Sequence, residues 1–184
     1  MINRSSWLFL LVLGACASLA ELSKPRFEYE VEKGEGRRFE NKKVSVDLDL
    51  NRTTLDLTIQ NKASETLKLI TDESVFTTVE GKVLRLIPGE TVAMNRSAAQ
   101  PPIVIPGHAS VQVSLMASSN VVVTQYGAMS GDIMPGFGMS SEDLTGKSFT
   151  LLLAFKGVSV SWEETIKYKI VGMKAKQISN SKKK

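Results

Sequence analysis

The stretch "VSVDLDLNRTTLDLTIQN", residues 44–61, decides the fold because apolar and polar residues alternate along two runs, 44–50 and 55–61. Successive side chains of a β-strand point to opposite faces, so each run places its apolar residues on one side of a sheet. The polar residues "NRTT" between the runs are typical of a turn. The stretch therefore predicts a β-hairpin with one buried face, made of Val44, Val46, Leu48, Leu50, Leu55, Leu57 and Ile59, while Ser45, Asp47 and Asp49 face solvent.

Similar short runs occur further along the chain at regular spacing. Strands are predicted at "TLKLIT" (66–71), "SVFTTV" (74–79), "KVLRLI" (82–87), "SVQVSLM" (110–116), "NVVVT" (120–124), "SFTLLLAF" (148–155) and "TIKYKIV" (165–171). No segment has a sustained helical period. The pattern predicts an all-β protein with a single antiparallel β-sandwich over residues 44–173, immunoglobulin-like in type; a jelly roll or a small barrel is the alternative.

The segment "QPPIVIPG", residues 100–107, interrupts this pattern with three prolines. Proline lacks an amide donor and biases the residue before it toward extended geometry. The segment is therefore predicted to be an edge or crossover connection, with a Pro-Gly turn leading into the strand from Ser110.

The first residues have the layout of an export signal. Arg4 precedes the unbroken apolar run "WLFLLVL", residues 7–13, and small residues come after it. The run is far shorter than the about 20 apolar residues that span a bilayer. "LGAC", residues 13–16, resembles the lipobox of bacterial lipoproteins, which implies that residues 1–15 are a signal peptide, cut before a lipid-bearing Cys16. Ordinary cleavage after Ala20 is the alternative.

Cys16 is the only cysteine in the chain. An exported protein with one cysteine forms no internal disulfide, so lipidation gives this residue a role. The resemblance implies attachment to a membrane of the bacterial cell envelope through the N-terminal lipid. Ala17 stands where an aspartate would be associated with inner-membrane retention, and this favours the outer membrane.

Charge is concentrated at the two ends of the predicted domain. Residues 16–43 mix both signs and are predicted to be the lipid anchor and a charged tether. Residues 174–184 form a basic tail that is predicted to be disordered, and contact of this tail with anionic lipid headgroups is the alternative. The formal net charge of +4 has the sign that nucleic acid attracts. The tail has no interleaved aromatic residues to stack on bases, so no nucleic-acid partner is expected.

Four further stretches carry a second resemblance. "NKASETLKL", "VEGKVLRLIPGE", "QPPIVIPGHASVQVSL" and "LTGKSFTLLLAFKG" together resemble a group of uncharacterised bacterial envelope proteins. These share an Asn-Lys turn, a Gly hairpin, a Gln-Pro-Pro…Ile-Pro-Pro-Gly segment and a late Gly-Lys-Ser/Thr-Phe strand. The resemblance covers roughly residues 54–171. In this chain "IPGH" stands where the group has Ile-Pro-Pro-Gly, so the second proline is absent. These motifs belong to turns and strand edges, so they imply a fold and not an activity.

Few residues suggest chemistry. His108, the only histidine, lies in the Pro-Gly turn, and one histidine does not build a histidine metal site or a conventional triad. Asp47 and Asp49 could seat a weak calcium ion, but a solvated polar face explains their spacing better. "GKS", residues 146–148, lacks the upstream glycine of a P-loop and precedes a strand. Neither an enzyme nor a cofactor is predicted.

One Gly-rich segment supports a sharper hypothesis. In the predicted loop 126–143, Met129, Met134 and Met139 recur at five-residue intervals, and thioethers are soft ligands that suit Cu(I). Methionine also fills gaps in packing. The leading prediction is a non-enzymatic structural or interaction module with an envelope protein as partner. Soft-metal or small-ligand binding through loop 126–143 is the alternative.

Overall fold

The computed structural model describes residues 27–91, 95–124, 127–133 and 143–173. Within these ranges the chain forms β-strands and a short 3-10 turn at Ser118–Asn120, with no α-helix among the described residues. The strands are β1 (Phe27–Val31), β2 (Arg38–Glu40), β3 (Val44–Leu50), β4 (Leu55–Asn61), β5 (Leu67–Thr77), β6 (Val83–Pro88), β7 (Ile103–Ile105), β8 (Ser110–Ala117), β9 (Val121–Thr124), β10 (Gly127–Ser130), β11 (Ser148–Lys156) and β12 (Ser161–Met173).

Ten of these strands form one antiparallel sheet in the order β1-β12-β11-β5-β6-β8-β4-β3-β2, with β7 paired to β5. Strand β6 joins the two halves of the sheet, because residues 83–85 pair with β5 and residues 86–88 pair with β8. Strands β9 and β10 form a separate two-stranded sheet. The large sheet curves until it is nearly closed, and the apolar core lies inside it.

Strands β3 and β4 form the predicted hairpin. Their pairing runs without a break from Val44 opposite Asn61 to Leu50 opposite Leu55. All seven apolar residues predicted to face inward are buried, with at most 1% exposure. Fully burying one leucine side chain contributes about 1.5–3 kcal/mol. A slip of one residue would turn this buried set outward, so burial fixes the register.

Strand β1 lies inside the segment that the sequence assigned to the tether, residues 16–43. Its residues alternate as those of β3 do: Phe27, Tyr29 and Val31 are buried, whereas Glu28 and Glu30 are exposed. It pairs with β12, and β2 pairs with β3. The fold therefore begins at least as early as β1, and not at the start of β3, because the charges that suggested a tether occupy outward positions of strands.

The buried side chain of Tyr29 helps to close the large sheet by joining β1 to β3. Tyr29 on β1 reaches β3, where its hydroxyl donates to the Leu48 carbonyl (3.2 Å) and accepts from the Leu50 amide (2.7 Å). The tyrosine ring also packs edge-on against Phe149 and Tyr168, at centroid separations of 5.5 and 5.9 Å. At this seam between β1 and β3, a buried hydroxyl and aromatic packing take the place of a backbone ladder.

Strand β5 merges the predicted strands "TLKLIT" and "SVFTTV". It does so through a bulge, where its register with β11 shifts. The Ser74 hydroxyl stabilises the bulge by donating to the Ile70 carbonyl (2.8 Å) and accepting from the Ala154 amide (3.1 Å). In the same bulge, Asp72 forms a half-buried ion pair with Arg85 of β6 (2.5 Å). Residues 72 and 73, which separate the two predicted strands, therefore remain within one strand.

The remaining sequence predictions concern connections. The hairpin around Gly81 is confirmed, with Gly81 at φ +80° and β5 paired to β6. The "GKS" motif is a turn: Gly146 has φ +84°, and β11 starts at Ser148. The proline segment contains β7, which pairs with β5 at the side of the main strand order.

The prediction of an all-β antiparallel fold is confirmed. The nearly closed sheet fits the predicted alternative of a small barrel. The immunoglobulin-like sandwich stays a prediction, and the swap of β6 between two partner strands is compatible with either architecture.

Candidate functional site

Three of the predicted site residues, Cys16, Met134 and Met139, lie outside the described residues. Met129 lies on β10, opposite Val122 of β9. The segment 126–143, predicted as one long loop, therefore contains a strand near its start. Whether the three methionines converge stays a prediction.

The described part of that segment is attached to the β3–β4 turn. The Ile133 amide donates to the Arg52 carbonyl (2.9 Å), and the Arg52 guanidinium lies 2.5 Å from the Asp132 carboxylate. Ile133 is buried, and the Asn120 side chain donates to the Asp132 carbonyl (2.7 Å). This part of the segment has a structural role, because it covers the core beside the turn.

The outward-facing side chains of β3, β4 and β8 form a surface that we call the polar face. A shallow depression of about 380 Å³ lies on it. Its lining is rich in carboxylate, hydroxyl and amide side chains, from Asp47, Asp49, Asp56, Thr58, Gln112 and Ser114, and Val113 completes it.

Two carboxylates of the polar face lie directly opposite each other. Asp49 of β3 pairs across the strands with Asp56 of β4, an arrangement that is destabilising for like charges. Asp49 lies 2.6 Å from the Arg37 guanidinium, which belongs to the β1–β2 connection. Asp56 accepts hydrogen bonds from Ser114 (2.5 Å) and from the Asn51 side chain. These partners offset the repulsion and occupy carboxylate oxygens that a ligand would otherwise use.

The rest of the polar face is also internally bonded. Arg38, opposite Asp47, donates from Nε to the Ser45 hydroxyl (2.8 Å). Ser45 was predicted to face solvent, but it is buried because the arginine covers it. Among the described residues there is no group of three or more His, Cys, Asp or Glu side chains that could hold a metal ion. Asp47 and Asp49 both line the depression on the polar face, and the Asp49 carboxylate is bonded to Arg37.

A second surface lies where four connections meet: residues 41–43, 61–66, 106–109 and 157–160. We call it the hairpin end. Lys62 Nζ donates to the Asn41 carbonyl (2.9 Å) and to the Glu40 carboxylate (2.7 Å). The hydrogen bond between Lys62 and the Glu40 carboxylate lowers the pKa of Glu40. The Val158 amide donates to Glu65 (3.4 Å). The connections thus form one continuous surface.

Asn61 organises the hairpin end from within. Its side chain is buried, and its amide nitrogen lies within hydrogen-bond distance of the carbonyls of Glu65 (2.7 Å), Ile105 (3.2 Å) and Pro106 (3.1 Å). Its amide oxygen accepts from the Ala63 amide (3.0 Å). The Asn61 side chain therefore joins the Asn-Lys turn to the proline segment. These two motifs are part of the resemblance to envelope proteins, and their hydrogen bonds stabilise the fold.

The Pro-Gly turn packs tightly on the same connection. A Cβ added at Gly107 would lie 2.0 Å from the Ser64 carbonyl oxygen, so only glycine fits there. His108 is the next residue, with φ 57°, and its amide donates to the Ala63 carbonyl (3.0 Å). As predicted, His108 is an exposed turn residue.

Sequence reasoning missed a cluster beside the hairpin end. Trp162 stacks on Phe155 (5.5 Å between centroids), and Lys43 Nζ lies 4.1 Å from the centre of the Trp162 ring. Asn41 donates to Glu164 (2.6 Å). The cluster joins the β2–β3 turn to β12, and a cation over an indole face is stabilising. The one available signal was a tryptophan just before the last predicted strand.

Among the described residues there is no helix long and apolar enough to cross a membrane. No protein-family model, curated protein or solved structure matches the chain, so its function is inferred from its own residues.

Proposed function

We propose that this chain is a lipid-anchored protein of the bacterial cell envelope whose β-domain acts as a non-enzymatic structural or interaction module. The observation that carries the proposal is the "LGAC" motif, residues 13–16, directly behind the apolar run 7–13 and containing the sole cysteine. The acyl chains on Cys16 attach the protein to the membrane, with the outer membrane favoured by Ala17. The partner is another envelope protein.

The chemistry of the described surfaces supports a module over an enzyme. General acid–base and nucleophilic catalysis need a nucleophile, a base and a group that orients the base, all within hydrogen-bond reach. The sole histidine, His108, is exposed in a turn, and the paired carboxylates Asp49 and Asp56 are bonded to Arg37 and Ser114.

The test is the chemistry of the native N-terminus. Mass spectrometry of the protein purified from its own envelope should find a mature chain that starts at a lipid-modified Cys16. Cys16→Ser should move the protein from the membrane fraction to the soluble periplasmic fraction, or leave it as unprocessed precursor.

A matched variant tests the competing cleavage. Ala20→Tyr places a bulky side chain where ordinary signal cleavage requires a small one. Lipidation before Cys16 does not use Ala20, so Ala20→Tyr should leave the membrane fraction unchanged. The anchor would be refuted if the mature chain of the unchanged protein started at unmodified Glu21 and the Ala20→Tyr variant accumulated as uncleaved precursor.

A further inference from the structure

Both ends of the described chain lie side by side. Phe27, the first residue of β1, pairs with Met173, the last residue of β12. Strand β12 has 13 residues and, at about 3.3 Å per residue, runs roughly 40 Å from the hairpin end to this pair. We call the opposite extremity, marked by Phe27 and Met173, the terminal end. The segment before β1 and the segment after β12 are both joined to the domain there.

The two segments joined to the terminal end carry different signals for one surface. Upstream, Cys16 is the proposed lipid anchor. Downstream, residues 174–184 contain five lysines and no acidic residue. The adjoining strands mix both signs, since Glu30 pairs across the strands with Lys169, and Lys167 lies 2.8 Å from Glu32. These charges of the adjoining strands are matched by opposite charges, whereas the charged side chains of the tail are all positive.

We propose that the basic tail binds the phosphate-bearing headgroups of the membrane that holds Cys16, so that two contacts orient the β-domain with its hairpin end directed away from the lipid. The proposal rests on the lipid anchor of the proposed function. An anionic membrane attracts juxtamembrane lysines, and the attraction fades within a Debye length of about 8 Å. The tail and the anchor segment are joined to the domain next to each other, so the acyl chains hold the lysines at high effective concentration near the headgroups.

Reach does not limit the contact. Ten residues, 17–26, separate Cys16 from Phe27, and the tail has eleven. Either segment spans at most about 35–40 Å when fully extended. Membrane contact by the tail would leave exposed hairpin-end residues such as Val158 (79% exposed) and Ser159 on the far side of the domain.

The experiment uses the acylated full-length protein in vesicles. In Lys184→Cys, an environment-sensitive dye on the introduced thiol reports contact of the tail with lipid, because acylation occupies Cys16. In Ser159→Cys the same dye reports from the hairpin end. Each protein is placed in vesicles of phosphatidylcholine alone and in vesicles of equal parts phosphatidylcholine and phosphatidylglycerol. The mass of the N-terminus is measured on the same preparations.

The tail dye should respond in the anionic vesicles, lose the response at high salt, and stay silent in phosphatidylcholine, while the Ser159 dye stays silent in both. Each lysine near an anionic surface strengthens contact about fivefold. Replacing three lysines of the tail should therefore weaken binding of the tail to the anionic vesicles by roughly a hundredfold. Replacing three exposed lysines near the hairpin end should leave that binding unchanged. The tail variant is Lys176→Gln, Lys182→Gln, Lys183→Gln, and the control is Lys42→Gln, Lys68→Gln, Lys156→Gln.

The outcomes separate the two proposals. An acylated Cys16 with a tail dye that ignores the vesicle charge would overturn the tail contact and leave the proposed anchor intact. Equal responses of the two dyes would overturn the orientation. An N-terminus without lipid would refute the anchor, and the two-point contact with it, through the mass measurement alone.

Discussion

Two tyrosines of the core offer a paired test of how the sheet is closed. Tyr29 and Tyr168 are both buried, and their rings pack edge-on against each other. The Tyr29 hydroxyl bonds the backbone of Leu48 and Leu50, whereas the Tyr168 hydroxyl has no hydrogen-bond partner among the described residues. The same substitution, tyrosine to phenylalanine, should therefore have opposite effects at the two positions.

Tyr29→Phe leaves one buried amide and one buried carbonyl of β3 without their partner. Each unsatisfied buried group costs about 1–3 kcal/mol, so the variant should lose about 2–6 kcal/mol of unfolding free energy. For a protein of this size that corresponds to a Tm lower by roughly 4–24 °C. Tyr168→Phe removes a buried hydroxyl that makes no compensating bond, so it should be neutral or more stable by up to about 2 kcal/mol.

Urea unfolding followed by tryptophan fluorescence and by circular dichroism measures both variants. The slope of the free energy against urea should match the parent's, because neither change alters the surface exposed on unfolding. The reasoning would be refuted if Tyr29→Phe had no effect, or if Tyr168→Phe destabilised the protein as much as Tyr29→Phe.

The same tyrosines set the behaviour of the protein in alkali. Burial raises the pKa of Tyr29 and of Tyr168 above the usual value of 10.0. A raised pKa in the folded state gives a contribution that is complete below the unfolded pKa and is lost as pH rises above it. Stability should therefore fall as pH rises above about 10. Phenolate absorbance from these two rings should appear only together with loss of the fold, and Tyr168→Phe should reduce the pH dependence.

Three further outcomes are expected. Leu57→Asp should abolish cooperative unfolding because it places an unpaired charge in the core, whereas Gln60→Asp on the exposed side of β4 should shift the Tm by only a few degrees; equal shifts would contradict the alternation. Gly107→Ala should destabilise by more than about 1 kcal/mol through its clash with the neighbouring carbonyl. Gly172→Ala should leave the stability nearly unchanged, because the new Cβ lies 3.8 Å from its nearest neighbour. Calorimetry of the two variants measures the difference, and equal losses would contradict the clash at Gly107. Cu(I) should leave the Tm unchanged; a rise that disappears when the three methionines of segment 126–143 become leucine would favour the soft-metal alternative.

Local periodicity predicted most of the sheet, because burial of one face requires an apolar residue at every second position. The β3–β4 hairpin was predicted from its local sequence alone, because it has seven apolar positions, a polar turn and no competing helical period. The same rule applies to β1, where Phe27, Tyr29 and Val31 are inward, but five residues between charged neighbours resemble a solvated tether. The first residues of β12, including Trp162, were missed for a similar reason, because two glutamates come directly after the tryptophan.

Contacts between distant residues were beyond any local pattern. The Tyr29 hydroxyl reaches a strand 21 residues away in sequence to bond Leu50, and Ser74 bonds Ala154 across 80 residues. Asp49 of the polar face was predicted to be outward, but its partner Arg37 belongs to the β1–β2 connection, which the sequence had assigned to the tether. Side-chain bonds of this kind decide how a sheet closes and which surface groups remain available.

The position of β1 changes what the proposed anchor does to the domain. A tether reaching to Lys43 would put 27 residues between Cys16 and the first strand, which could extend roughly 90 Å. With β1 beginning at Phe27, the ten intervening residues hold the terminal end within about 35–40 Å of the lipid. That limit is close to the length of β12, so under the proposed anchor the terminal end lies within about one strand length of the bilayer and the hairpin end within about two. A partner that binds the terminal end would therefore be held close to the lipid, which is consistent with the envelope protein that we propose as the partner.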